Sequence, residues 1–300
     1  MDLRMGPADR RGFEPAGQVA CAYLDRRMSG RSPKFTCDLG AGDEVKVKYG
    51  QDNGEVYGEV AATRLLWALG FGADRMYPVR IECHGCPENL RGGPRAGMTV
   101  LLDPAAIERK HEGRALETAP DSGWTWQELD LVDETVGGAS RAERDGLKLL
   151  AAFIQHSDNK PSQQRLVCLS SETESPDVCS RPFMMLNDVG LTFGRADVFN
   201  RAAAASVNFE AWSTTPVWKD EPGCVARLSK SLTGTLKDPH ISEPGRKFLA
   251  DLLVQLSDHQ IHDLFEVARF PQRSHHRADE WVAAFKHKRD EIVNRTCPAP

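Results

Sequence analysis

Two acidic turns in a fixed order constrain this chain most. His156-Ser-Asp-Asn-Lys-Pro-Ser-Gln163 comes first, and Asp188-Val-Gly190 follows about thirty residues after Asp158. An aspartate with a carbonyl-bearing side chain five positions on, as in Asp158 and Gln163, can set a proton acceptor and an oxygen ligand for a hard cation side by side in one loop. Asp188 follows Phe183-Met-Met-Leu186, an apolar run that reads as a buried strand, so a second carboxylate is delivered on a rigid element. Ser140-Arg-Ala-Glu143 is a capping-box pattern, and Leu147, Leu149, Leu150, Phe153 and Ile154 give an apolar face at helical spacing. A helix therefore leads into His156. Arg165-Leu-Val-Cys-Leu169 reads as a short strand, and 170 to 182, rich in Ser, Glu and Pro, as an exposed loop before the second strand.

The loop resembles the catalytic loop of protein kinases, written HRDLKPEN, with His156, Asp158, Lys160 and Pro161 identical and Gln163 in place of the asparagine. Asp188-Val-Gly190 resembles the DFG metal motif. The resemblance implies that Asp158 orients or deprotonates an acceptor hydroxyl and that Lys160 neutralises charge on the transferring γ-phosphoryl group. It also implies that Gln163, or Gln164 in its place, holds Mg²⁺ together with Asp188. Asn159 would bond within the loop, and His156 would pack beneath it. Phosphoryl transfer is mostly positioning and electrostatic stabilisation, so such a site also needs a lysine on the nucleotide phosphates and a glutamate that holds the lysine.

The amino-terminal half offers both. Glu44-Val-Lys-Val-Lys-Tyr49 alternates apolar and basic residues, which places Lys46 and Lys48 on one face of a half-buried strand. Lys48 resembles the lysine of the VAIK motif, since it ends the strand before Gly50; Lys46 is the alternative, and a solvated strand face carrying both is the bland reading. A helix is expected from about Glu55 to Leu69, with Val56, Val60 and Trp67 on one stripe, Leu65, Leu66 and Leu69 beside it, and Gly70 as its stop. Glu59 is the expected partner of the lysine and Glu55 the fallback. Upstream, Cys21-Ala-Tyr-Leu24 and Lys34-Phe-Thr-Cys-Asp-Leu39 read as strands joined by a small-residue lid whose Ser29, Gly30 and Arg31 are candidate nucleotide contacts. The lid has one glycine where protein kinases have G-x-G-x-x-G. Gly40-Ala-Gly42-Asp43 reads as a hairpin turn.

Further strands are expected at Met76 to Glu82, Thr99 to Leu102 and Ile107 to Leu116, each bounded by Gly or Pro. Helices dominate after a division near Trp124 to Leu129: Gly245 to Leu256, one capped by Ser257 and Gln260, and Ala278 to Arg295. The expected fold is α+β, a bilobal protein-kinase-like arrangement. Residues 1 to 17 form a disordered tail, 18 to 128 a small β-rich lobe with one helix, and 129 to 300 a larger, mainly helical lobe. The lack of an A-P-E triplet after Asp188, and Ser157 where an arginine is usual, bring the chain nearer to the atypical HipA-like, secretory-pathway casein-kinase-like and phosphatidylinositol-kinase-like groups. The resemblance covers about residues 20 to 195, with specific matches at 156–163, 188–190 and around Lys48 and Glu59.

The implied function is ATP- and Mg²⁺-dependent transfer of the γ-phosphoryl group to a hydroxyl on a protein, lipid head group or small metabolite. The alternative within the fold is a catalytically degenerate binding or scaffold protein, to which Gln163 and the poor glycine lid point. A net charge of −5 gives no electrostatic case for nucleic acid. No apolar run approaches the roughly 20 residues that span a bilayer, and the polar first seventeen residues do not read as a secretory signal. Eight cysteines permit an oxidising compartment without requiring one, so an exported form stays open. Cys83-His-Gly-Cys86 has the spacing of a zinc knuckle or redox pair, with Cys21, Cys37 and His111 to be recruited as further ligands. This is a third reading, a cysteine-based metal or redox protein, set against a local disulfide between the two and against two cysteines in a Gly-rich turn. Cys168 with Cys179 and Cys224 with Cys297 are the remaining pairs. Arg273-Ser-His-His-Arg277 reads as a solvated connector, Trp212 and Trp218 as core, and His240, His259 and His262 lack metal spacing.

Overall fold

A computed structural model describes residues 1–90, 96–116, 123–169, 178–197, 199 and 201–298. The loop expected at 170 to 182 lies partly outside them. The chain begins with β1 (Gln18–Leu24), β2 (Lys34–Asp38) and β3 (Glu44–Tyr49), crosses through α1 (Glu55–Ala68), and returns as β4 (Arg75–Cys86) and β5 (Met98–Arg109). These strands close into a barrel in the order β1-β2-β3-β5-β4, and the parallel pairing of β1 with β4 makes the closure. Side chains alternate along each strand, so Val45 and Val47 fill the barrel with Tyr23, Phe35, Val79, Ile81 and Ile107. Lys46 and Lys48 therefore point outward. The stretches expected as separate strands at Thr99 to Leu102 and Ile107 to Leu116 are divided differently: β5 runs from the first through Pro104 and ends at Arg109, and Arg114–Ala115 form a short strand of their own. The ladder tolerates this proline because the register shifts there, with Val79 opposite Ala105 and Ile81 opposite Leu102.

Helix α1 is not amphipathic as expected. Only Glu55 and Trp67 are partly exposed, because the helix lies between the barrel and the helical part of the chain and must be apolar on both sides. It ends as predicted at Gly70, whose φ of +83° lets Phe71 N–H reach the Leu66 carbonyl at 2.8 Å. A small sheet of β6 (Arg114–Ala115), β7 (Gln164–Cys168) and β8 (Pro182–Leu186) follows, and β8 is tied to the chain after α1 by the bridge from Ala73 to Leu186. Before β7 comes α2 (Arg141–Phe153), capped by Ser140 and Glu143 as the sequence predicts. The rest is α3 (Ala202–Ala205), α4 (Phe209–Ser213), α5 (Glu243–Leu253), α6 (Asp258–Val267), α7 (Phe270–Ser274) and α8 (Ala278–Val293). Phe153, Trp212, Phe265 and Phe270 gather around Trp281 in their core, the two tryptophans stacked at 5.4 Å.

Residues 1 to 17 are not a loose tail. Leu3 is buried, and the carbonyls of Leu3 and Met5 accept from the guanidinium of Arg64 on α1, which is itself buried and also donates to Met76 O. Asp9 pairs with Arg75 at 2.7 Å, and Phe13 packs edge-on against Tyr77. Of the readings open for Cys83 and Cys86, the local disulfide is the one present, and neither the metal clip nor the plain turn is. Cys83 and Cys86 lie within β4 and are disulfide-bonded to each other. Cys21–Cys37 staples β1 to β2, and Cys168–Cys179 and Cys224–Cys297 complete four disulfides with no cysteine left free. Sulfurs committed to disulfides are not thiolate ligands, so the cysteine-based metal site expected as a third possibility is not supported.

Candidate active site

Lys48, at the outward-facing end of β3, has no solvent exposure. Its Nζ lies 2.7 Å from Glu59 Oε2 and 2.9 Å from Glu55 Oε2 on α1, and 3.5 Å from both carboxylate oxygens of Asp188, 140 positions away in sequence. Glu55 and Glu59 are one helical turn apart and therefore share a face, which is why the structure uses both where one was expected. Lys46 goes elsewhere: it pairs with Glu108 directly across the β3–β5 ladder.

The fit between α1 and the Asp188 turn depends on missing side chains. A Cβ on Gly58 would stand 2.8 Å from Ser206 Oγ and 2.9 Å from the Gly190 carbonyl, and a Cβ on Gly190 would stand 2.7 Å from Glu55 Cγ. Ser206 Oγ donates to that same Gly190 carbonyl at 2.7 Å, and Gly190 N–H donates to Asp188 Oδ1 at 3.2 Å. Helix, turn and carboxylate are thus held flush.

Charges in the ring shift accordingly. Burial raises the Asp188 pKa, but Lys48, Lys46, the Gly190 N–H and Lys34 together outweigh it, so the carboxyl stays well below the usual range. Burial of Lys48 opposes its charge, yet Asp188, Glu55 and Glu59 together raise its pKa well above that of an ordinary lysine. Glu59 is pushed up to about 8 by burial against the pull of Lys48.

The second half of the site is the loop after α2. Asp158 Oδ2 accepts from Lys160 Nζ and from Gln163 Nε2, each at 3.0 Å, and Ser231 Oγ donates to Oδ1 at 3.2 Å. The Gln163 carbonyl accepts from Asn187 N–H at 2.8 Å and Asp188 N–H at 3.4 Å, so this loop and the Asp188 turn share a hydrogen-bonded seam. Asn159, fully buried, donates to the carbonyls of His156 and Leu236 and accepts from the N–H groups of Thr235 and Leu236. All four of its side-chain bonds are made, which fixes the loop from beneath. Gln164 instead donates to Asn159 O and is buried, which removes it from the cleft.

His156 is enclosed next to Trp126, and among the described residues neither ring nitrogen has a hydrogen-bond partner. Burial lowers its pKa to about 4 despite the fields of Asp158 and Asp188. The unfolded imidazole takes up a proton below its ordinary pKa near 6.5, whereas the buried ring does so only near 4. Stability from this group is therefore complete above pH 6.5 and falls as pH drops toward 4, by about 2 kcal/mol between pH 7.5 and pH 5. Urea unfolding of the parent and of His156→Gln at both values checks this: the variant should lose much less on acidification, and equal losses in the two would exclude it.

The lid candidates are only partly in place. Gly30 lies over Lys34 Nζ, while the guanidinium of Arg31 donates to the Phe199 carbonyl at 3.2 Å. Ser29 is exposed and makes no hydrogen bond or ion pair with the ring among the described residues. Sequence reading missed Lys34 and Ser231. Lys34 is revealed only by its pairing opposite Lys48, and Ser231 sits about seventy residues from the loop it bonds. Among the described residues, no group of three or more His, Cys, Asp or Glu side chains could by itself hold a metal. Mg²⁺ does not need one: it keeps several waters and takes one or two protein oxygens plus substrate phosphates, which the Asp188 carboxylate and the Gln163 amide oxygen suit. No helix among the described residues is long and apolar enough to cross a membrane.

No family model matches the sequence, and no curated protein matches it either. Among solved structures, the Rio2 kinase–ADP/Mg²⁺–phosphoaspartate complex from Chaetomium thermophilum aligns with 11% identity and a TM-score of 0.33, covering 84% of this chain and 71% of that one. The chain is also similar to the Helicobacter pylori proinflammatory kinase CtkA, at 11% identity and a TM-score of 0.50, with 93% of this chain and 96% of that chain covered. At this identity the likeness is one of fold, and it extends over nearly the whole length: the protein has a mixed α+β, kinase-like fold.

Proposed function

We propose that the protein is an ATP- and Mg²⁺-dependent phosphotransferase acting on a hydroxyl acceptor. The observation that carries this reading is the convergence of Lys48 from β3, Glu59 from α1 and Asp188 from the end of β8 on one buried point, with the Asp158 loop hydrogen-bonded to the same turn. In this reading Lys48, gripped by Glu59 and Glu55, faces the phosphates. Asp188 and Gln163 hold the metal, which neutralises charge developing on the phosphoryl oxygens. Gln163 donates to Asp158 through its nitrogen, so its oxygen is the atom for the cation. Asp158 accepts the proton of the attacking hydroxyl as the new oxygen–phosphorus bond forms, and the electron pair of the broken bond leaves on the β-phosphate. Lys160, 3.0 Å from Asp158, places a cation beside the group in transfer. The four disulfides fit a chain that matures in an oxidising compartment.

A nucleotide-binding fold without turnover is the second reading, favoured by Gln163 where the family has asparagine. Thermal unfolding with ATP, with and without Mg²⁺, tests what the two readings share. Saturation to a hundred times Kd stabilises a binding protein by about 2.7 kcal/mol, which raises the melting temperature by several degrees. No shift at millimolar Mg-ATP would exclude both. Phosphoryl transfer then separates them.

A further inference from the structure

One ammonium, Lys48, is shared among the carboxyl groups of Glu55, Glu59 and Asp188, and Lys46 is already matched by Glu108, so the ring has no positive charge to spare. A polyphosphate entering such a place needs a cation that is not already spoken for. Lys34 opens β2 directly opposite Lys48 in the β2–β3 ladder, so the two side chains leave the barrel on the same side. It is half-buried, and among the described residues no ion pair is recorded for its ammonium. The lid lies against it: Gly30 has φ +88°, a conformation that favours glycine, and a Cβ there would stand 2.9 Å from Lys34 Nζ, so the turn backbone sits beside the ammonium. Burial and the charge of Lys48 lower the Lys34 pKa while Asp188 raises it, which places the ammonium within the field of both. A cation repelled by its neighbour, partly dehydrated and set beside a glycine turn is poised for an anion.

We infer that Lys34 is a second phosphate-binding lysine, contributing to the polyphosphate tail of the nucleotide the charge that Lys48, enclosed by three carboxyl groups, cannot supply alone. The inference rests on the nucleotide reading above, and the experiment separates the two. Binding of Mg-ATP, adenosine and inorganic tripolyphosphate is measured by calorimetry on the full chain, its Lys34→Ala variant and its Lys34→Arg variant. Lys34→Ala should weaken Mg-ATP and tripolyphosphate at least tenfold and leave adenosine unchanged, and Lys34→Arg should restore most of the loss. Lys34→Ala binding all three as the parent does overturns the role of Lys34 while the nucleotide reading stands. An equal loss for adenosine marks a general distortion of the cleft and also overturns it. A parent that binds neither Mg-ATP nor tripolyphosphate removes both readings together.

Discussion

On the phosphotransferase reading, Asp158→Ala is expected to lose phosphoryl transfer by two to four orders of magnitude yet keep the Mg-ATP thermal shift, whereas Asp188→Asn is expected to lose both. The first figure is the usual worth of a positioned proton acceptor. Asp158 accepts from Lys160, Gln163 and Ser231, none of which belongs to the Lys48 ring. Asp188 is different because it faces the ring and stands where the metal reading needs a carboxylate. An asparagine there keeps the shape and the bond from Gly190 N–H but withdraws the charge that would attract Mg²⁺. The split between the two variants is the informative part. Turnover at the parent rate in either would remove the assignment, and loss of the thermal shift in Asp158→Ala would place that residue in binding.

The catalytic-loop region was readable because several local signals agree over a short span. Ser140 and Glu143 cap α2, its apolar period delivers His156, and Leu186 ends a strand just before Asp188. Each depends on neighbours within a few positions. Long-range choices were less legible. Nothing local distinguishes Glu55 from Glu59, and only the approach of the Asp188 turn through Gly58 and Gly190 draws both onto Lys48. The first seventeen residues looked loose because they are rich in Arg, Gly and Pro. Their anchoring comes from one apolar side chain, Leu3, and from main-chain carbonyls serving Arg64, and carbonyls have no signature in composition. Pro104 read as a strand boundary because a proline cannot donate to a ladder, a penalty that disappears at a register shift no sequence reveals. For Cys83 and Cys86 the spacing suits a metal, a local disulfide or a plain turn alike, and only the structure selects the disulfide.

Lys48→Met should destabilise the fold by about 3–5 kcal/mol at pH 7.5, the cost of removing one partner from a buried ionic group. The methionine fills much the same volume, so packing changes little; what changes is that Glu55, Glu59 and Asp188 lose the ammonium they share. Glu59 is 1% exposed and cannot recover the loss from water. Acidification should favour the variant over the parent at this ring, because Glu59, already raised to about 8 by burial in the parent, loses the lysine that lowers it. In the parent, Asp188 is held below its ordinary pKa, so its contribution is present at neutral pH and is lost as acid protonates it. In Lys48→Met the opposing lysine is gone, so burial, with Asp188 and Glu108, raises the folded pKa of Glu59 further above its unfolded value, and the stability gained as pH falls is larger than in the parent. The variant should therefore recover part of its deficit by pH 5, and adding Glu59→Gln should recover part of it at pH 7.5. Urea midpoints for the parent, both single variants and the double variant close the cycle. A Lys48→Met chain within 1 kcal/mol of the parent would show that the ring is not coupled, and with it would go the physical reason for an inward-held lysine facing Asp188.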